Sequence, residues 1–225
     1  FSNSGTVTVS NTAFNSHGFD SGFLLTNKPG GIITVSNSGS SLIGISSPIS
    51  NSGTIIVSNT VGTGISGGLT NNSGGIVTVS TIVSSSDGII NSISNSGTIT
   101  ISNTVGRGIT GTLTNNASGI VNITGTLPIT TGVNIINTAG GTVTNNGTIT
   151  VSNVLGTGLT LTGTLTNSGT ITVSNTGSGS TGISGGTITN NLGGTSTVES
   201  RGSFYSSVMS RARWYPGTIK VATTA

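Results

Sequence analysis

Asn95-Ser96-Gly97-Thr98-Ile99-Thr100-Ile101-Ser102-Asn103 is the stretch whose reading decides the fold. Apolar and polar residues alternate strictly through it, as in a strand with one buried face: Ile99 and Ile101 inward, Thr98 and Thr100 outward. Gly97 supplies a bend that residues with a Cβ resist, and the flanking asparagines suit corners. The same phrase returns nearly intact at residues 3–11, 51–59, 145–153 and 167–175.

Taking the glycine of each copy as a register mark gives Gly5, Gly31, Gly53, Gly75, Gly97, Gly119, Gly147 and Gly169, with a degraded Gly194. Their spacing centres on 22 residues, the size of one turn of a parallel β-solenoid. Two residues after each mark stand Val7, Ile33, Ile55, Val77, Ile99, Val121, Ile149 and Ile171; four after stand Val9, Val35, Val57, Val79, Ile101, Ile123, Val151 and Val173. Every member is β-branched, as the inner face of a strand prefers. A second glycine in each turn precedes another apolar column that includes Phe19, Ile45, Ile65, Ile89 and Ile109, and a fourth column includes Leu25, Ile49, Leu69, Ile93 and Leu113.

These columns predict an all-β, single-stranded parallel β-solenoid of about eight turns, each with about three strand faces around one interior, and the pattern ends after Val198. The second glycine follows its mark by 13 residues in turns two, four and six but by 11 in turns three, five and seven, which points to duplication of a two-turn unit. Asn11, Asn37, Asn59, Asn103, Asn153 and Asn175 all fall six residues after their marks. Amide side chains stacked at ~4.8 Å can bond from turn to turn, so these six are the expected Asn ladder. Asp87 and Arg107 each precede the second glycine of adjacent turns and are expected to form an inter-turn ion pair.

The repeats, for example Leu165-Thr166-Asn167-Ser168-Gly169-Thr170-Ile171-Thr172, resemble the passenger region of autotransporter adhesins and related β-helical surface proteins. The resemblance covers residues 3 to about 198 and implies a right-handed parallel β-helix displayed outside the cell. No C-terminal membrane-barrel sequence follows, and residues 199–225 fit nothing in the repeat. The domain expectation is therefore a solenoid over 1–198 and an aromatic, basic tail over 199–225 that serves in assembly or capping.

Composition bounds the function. The 225 residues hold six basic and three acidic side chains, 38 glycines and no cysteine. Disulfide and thiolate chemistry are thus excluded. A nearly uncharged surface favours association or anchoring. No apolar run approaches the ~18 residues of a membrane span. The chain begins at Phe1, which suggests a processed product or an excised fragment. Asp20 and Asp87 fall three turns apart, ~14 Å, beyond the ~5–9.5 Å that a glycosidase pair requires. His17, the single histidine, has no Cys or acidic cluster beside it, so no metal site is expected, and no phosphate-loop signature occurs. No enzyme and no cofactor are expected, and four cations in the tail are too few for nucleic acid. Sequons at Asn71, Asn116, Asn122 and Asn146 are what this composition produces by chance.

Aromatic residues cluster in the first turn (Phe1, Phe14, Phe19, Phe23) and the tail (Phe204, Tyr205, Trp214, Tyr215), with none between Leu24 and Ser203. The tail also carries the alternating segment Gly217 to Ala222, with Ile219 and Val221 on one face. Solenoid ends are strand edges that need covering. The expected function is an extracellular or particle-surface structural subunit that assembles head to tail into a filament, its interface formed by Phe14, Phe19, Phe23, Phe204, Tyr205, Trp214, Tyr215, Ile219 and Val221. Two alternatives stand beside it. One is an adhesin passenger or stalk fragment whose receptor the sequence does not name. The other is an ice-binding solenoid, suggested by outward pairs such as Thr98/Thr100 and Thr170/Thr172.

Overall fold

The structure is a computed structural model that describes residues 1–11, 17–20, 22–37, 43–59, 62–81, 86–103, 106–125, 135–137, 142–154, 157–175, 181–200, 213–214 and 218–223. All regular structure among them is β, and every strand pair is parallel, from Thr6–Asn11 on Ile32–Asn37 to Thr195–Ser200 on Thr218–Thr223. The chain is a parallel β-solenoid whose eight marks, Gly5 to Gly169, bound seven complete turns.

Each coil lays down three stretches. A six-residue strand follows the mark glycine, and its copies build a ten-stranded sheet. A short strand such as Ile93–Asn95 leads into the mark and belongs to the 13-stranded sheet. The third stretch runs through the second glycine; it begins as single bridges, Phe19 to Ile45 to Ile65 to Ile89, and widens into strands such as Gly106–Thr110. In later coils the third stretch merges with the short strand that leads into the next mark, giving single strands Thr157–Asn167 and Thr181–Asn190.

Pairing is in register, so each column stacks on itself. Ile99 sits between Val77 and Val121, and Ile101 between Val79 and Ile123. All four predicted columns form one continuous core, with side chains such as Ile33, Ile55, Ile99, Ile65 and Leu25 fully buried. Val7 and Val9, on the first coil, are only partly buried. Burying one such side chain stabilises by about 1.5–3 kcal/mol.

The mark glycines have a different cause from the bend read in the sequence. Gly97 is not among the residues with positive φ. An added Cβ there would overlap the carbonyl oxygen of Gly75 and come within 2.7 Å of Asn71 Nδ2. Close stacking of one corner on the next excludes the side chain. Gly88 is held for a related reason: a Cβ would lie 2.6 Å from Ile101 Cγ2 and from the Gly108 carbonyl oxygen.

The two-turn period is also present in the corners, where tight and wide forms alternate along most of the stack. In tight corners such as Asn51-Ser52-Gly53, the glycine N–H donates to the asparagine side chain (Gly53 N to Asn51 Oδ1, 3.2 Å). Wide corners such as Asn71-Asn72-Ser73-Gly74-Gly75 add two residues, with Gly74 at φ 79° and Gly75 N donating to Asn72 O at 2.9 Å. Asn72 then donates to Ser52 Oγ of the preceding tight corner at 3.0 Å, and Asn116 to Ser96 Oγ at 2.8 Å. Each such bond staples a wide coil to the tight coil before it.

The stack does not end at Val198. Thr218–Thr223 pairs with Thr195–Ser200, placing Ile219 opposite Ser196 and Val221 opposite Val198, and Arg213–Trp214 pairs with Thr189–Asn190. The tail adds a further rung to its own chain. Gly217 followed by Ile219 and Val221 repeats the spacing of every earlier mark.

Candidate functional site

The most ordered polar feature is internal. Asn3, Asn27, Asn51, Asn71, Asn95, Asn115, Asn145, Asn167 and Asn190 stack as a ladder along the corner, all buried. From Asn3 to Asn167 each Nδ2 donates to the Oδ1 of the next coil's asparagine at 2.8–2.9 Å. Asn95 also donates to Gly97 O and Ile120 O at 3.1 Å, and its Oδ1 accepts from Gly97 N at 3.2 Å. A buried amide is tolerated only when satisfied, and here both of its ends are.

This ladder is not the one expected from the sequence. The backbones of Asn11, Asn37 and Asn59 align in register at the far ends of their strands, but the side chains of all six predicted members, Asn103, Asn153 and Asn175 included, lie outside the described residues. The internal ladder was hidden by its offset. Its asparagine precedes the mark by two residues in tight corners and by four in wide ones, so alignment on the glycines scatters the column.

Asp87 and Arg107 lie opposite one another on adjacent strands. Arg107 Nε donates to Asp87 Oδ1 at 2.7 Å and Nη2 to Oδ2 at 3.3 Å, a two-pronged contact. The Asp87 side chain is 11% exposed and that of Arg107 44%. The other carboxylates are engaged locally: Asp20 Oδ1 accepts from Gly22 N at 3.2 Å, and Glu199 Oε2 accepts from Ser174 Oγ at 3.4 Å. Among the described residues no group of three or more His, Cys, Asp or Glu side chains could hold a metal. A shallow groove of about 410 Å³ passes over Leu24, Pro48, Gly68, Thr70 and Ser92, with no charged side chain in its lining.

The expected assembly residues divide into three groups. Phe19 packs against the core and meets Phe1 edge to face, with centroids 5.4 Å apart. Phe23 stands 78% exposed, so the first coil does offer an aromatic to solvent. Trp214, Ile219 and Val221 lie on strands of the added rung, Trp214 opposite the ladder residue Asn190. Phe14, Phe204, Tyr205 and Tyr215 lie outside the described residues. Of the sequons, Asn71 is spent in the ladder, whereas Asn146 is exposed.

The site and fold define a class, the parallel β-solenoid with an internal asparagine ladder. Comparison with family models, with curated proteins and with solved structures yields no match. Among the described residues no helix is long and apolar enough to cross a membrane.

Proposed function

We propose that the chain is a structural subunit of an extracellular or surface fibre, a rod that continues end to end from one copy to the next. The observation that carries this reading is the complementarity of its two end strands. Thr6–Asn11 pairs on one side only among the described residues, as does Thr218–Thr223 at the other end of the same sheet. Setting these two edges against each other in parallel register would place Ile219 against Val7 and Val221 against Val9. The alternation of apolar and polar positions would then continue across the junction, with backbone hydrogen bonds along it. Such a heterologous contact propagates as a filament unless rotation closes it. The nearly uncharged surface favours association with further copies.

Negative-stain microscopy of the purified chain tests this directly. Filaments are expected, and Val7→Asp should abolish them while the β circular-dichroism signal persists. Single short rods at all concentrations would overturn the proposal in favour of a stalk segment whose next coil belongs to the same chain, as in an adhesin. The ice-binding alternative is less favoured, because Ile32, Ile56, Ile76 and Ile120 interrupt the outward threonine ranks.

A further inference from the structure

The outward face of the ten-stranded sheet has a regularity that a scaffold alone does not require. Nine of its strands, Thr6–Asn11 through Thr195–Ser200, present three outward residues each, in register along the stack. The middle rank carries Thr8, Thr34, Thr78, Thr100, Thr150 and Thr172. Among the described residues these hydroxyls form no hydrogen bond within the chain. In the first rank Ile32, Ile76 and Ile120 alternate with threonines and stand 40–45% exposed. No outward residue of these nine strands is charged before Glu199, on the last of them.

We propose that this face is a self-association surface on which a second copy packs sheet to sheet, antiparallel, about a two-fold axis through Thr100. Four features select a second copy as the occupant. The face is neutral, so a charged partner gains nothing from it. Threonine hydroxyls both donate and accept, so the face is complementary to itself. A second copy has the same strand spacing of ~4.8 Å, so a contact made at one coil recurs at the others. Nine strands by six residues cover about 40 by 20 Å, on the order of the ~800 Å² per partner that a stable interface buries.

The axis follows from the sequence of the ranks. The Thr98–Asn103 strand is the central one of the nine, and Thr100 is its middle outward residue. A two-fold axis along that strand places Ile76 over Ile120 of the partner subunit, and reciprocally. It also sets Glu199 against Ser10 of the partner subunit, so like charges never meet. The alternative axis, along the solenoid, would set the isoleucine rank on the serine rank and lose the apolar contact.

The proposal is independent of end-to-end stacking, and its test separates the two. Sedimentation equilibrium of Val7→Asp, in which end contacts are blocked, should still give a closed dimer; a filament would give an open series of masses. Thr78→Lys/Thr100→Lys, added to that background, should weaken the dimer at least tenfold, most strongly at low salt. With no native cysteine, Thr100→Cys supplies one thiol per copy close to the axis, and a short bismaleimide should link two copies across sheets ~10 Å apart. Thr70→Cys, outward on the other sheet, should not cross-link. A Val7→Asp chain monomeric at about millimolar concentration, a dimer unchanged by the paired lysines in a chain with intact β signal, or equal cross-linking from Thr70→Cys would each overturn the proposal. So would a monomer that binds ice through Thr100, which would assign the face to ordered water.

Discussion

At the scale of single residues, position within the coil decides what a side chain contributes. Ile99 is fully buried between Val77 and Val121, while its neighbour Thr98 points outward. Ile99→Asp would bury an unpaired carboxylate and should cost several kcal/mol, whereas Thr98→Asp should change stability by about 0.5 kcal/mol or less. Urea unfolding of both variants is the check, and equal losses would reverse the assignment of faces. The ladder makes a sharper claim about a polar residue. Asn95→Ala would leave Asn115 Oδ1, itself buried, and Gly97 N without a partner, and would take from Asn71 Nδ2 one of its three acceptors. Since a buried group left unsatisfied costs about 1–3 kcal/mol, a total of about 2–5 kcal/mol is expected from the shift in denaturation midpoint. A loss below 1 kcal/mol would mean that the ladder is incidental to stability.

At the scale of the element, the unit is the coil corner and its neighbours rather than the isolated strand. Tight and wide corners hold the same asparagine column in line because the glycine N–H can be satisfied in two ways, by the side chain in one and by a backbone carbonyl in the other. The Asp87–Arg107 contact joins two adjacent third-stretch strands but adds little, since one partner is well exposed and solvent screens the pair. A double-mutant cycle with Asp87→Asn and Arg107→Gln should return a coupling of about 0.2–1 kcal/mol that falls with added salt. A coupling above 2 kcal/mol would show that the pair is shielded far more than its exposure indicates.

For the whole molecule, stability accumulates by stacking, and each coil touches only the coils beside it. Removing residues 201–225 should therefore expose the Thr195–Ser200 edge without unfolding the stack. Hydrogen exchange is expected to speed up across Thr195–Ser200 and to stay slow at Ile99 and Ile101. Loss of protection throughout would mean that the added rung is essential for folding rather than a local cover. End-to-end growth and lateral pairing use different surfaces, an edge and a face, so one can fail without the other.

The solenoid was legible in the sequence because a coil of near-constant length repeats its inward residues. Val7 to Ile171 and Val9 to Val173 form columns in any alignment on the glycines, and β-branched residues at period two admit one reading. The Asp87–Arg107 adjacency follows from the same register. Three matters were decided only by the tertiary structure. The ladder through Asn95 is one, because a buried amide needs a partner above and below, and only the folded corners bring those partners into line. From Gly53 onward the mark glycines are required by a carbonyl oxygen of the preceding coil, a contact between residues 22 to 28 apart that no local turn preference expresses. The segment around Ile219 carries the same alternation whether it pairs with its own chain or with another. A strand's pattern specifies which face is buried but not which edge it joins, and here the chain's own last coil provides that edge.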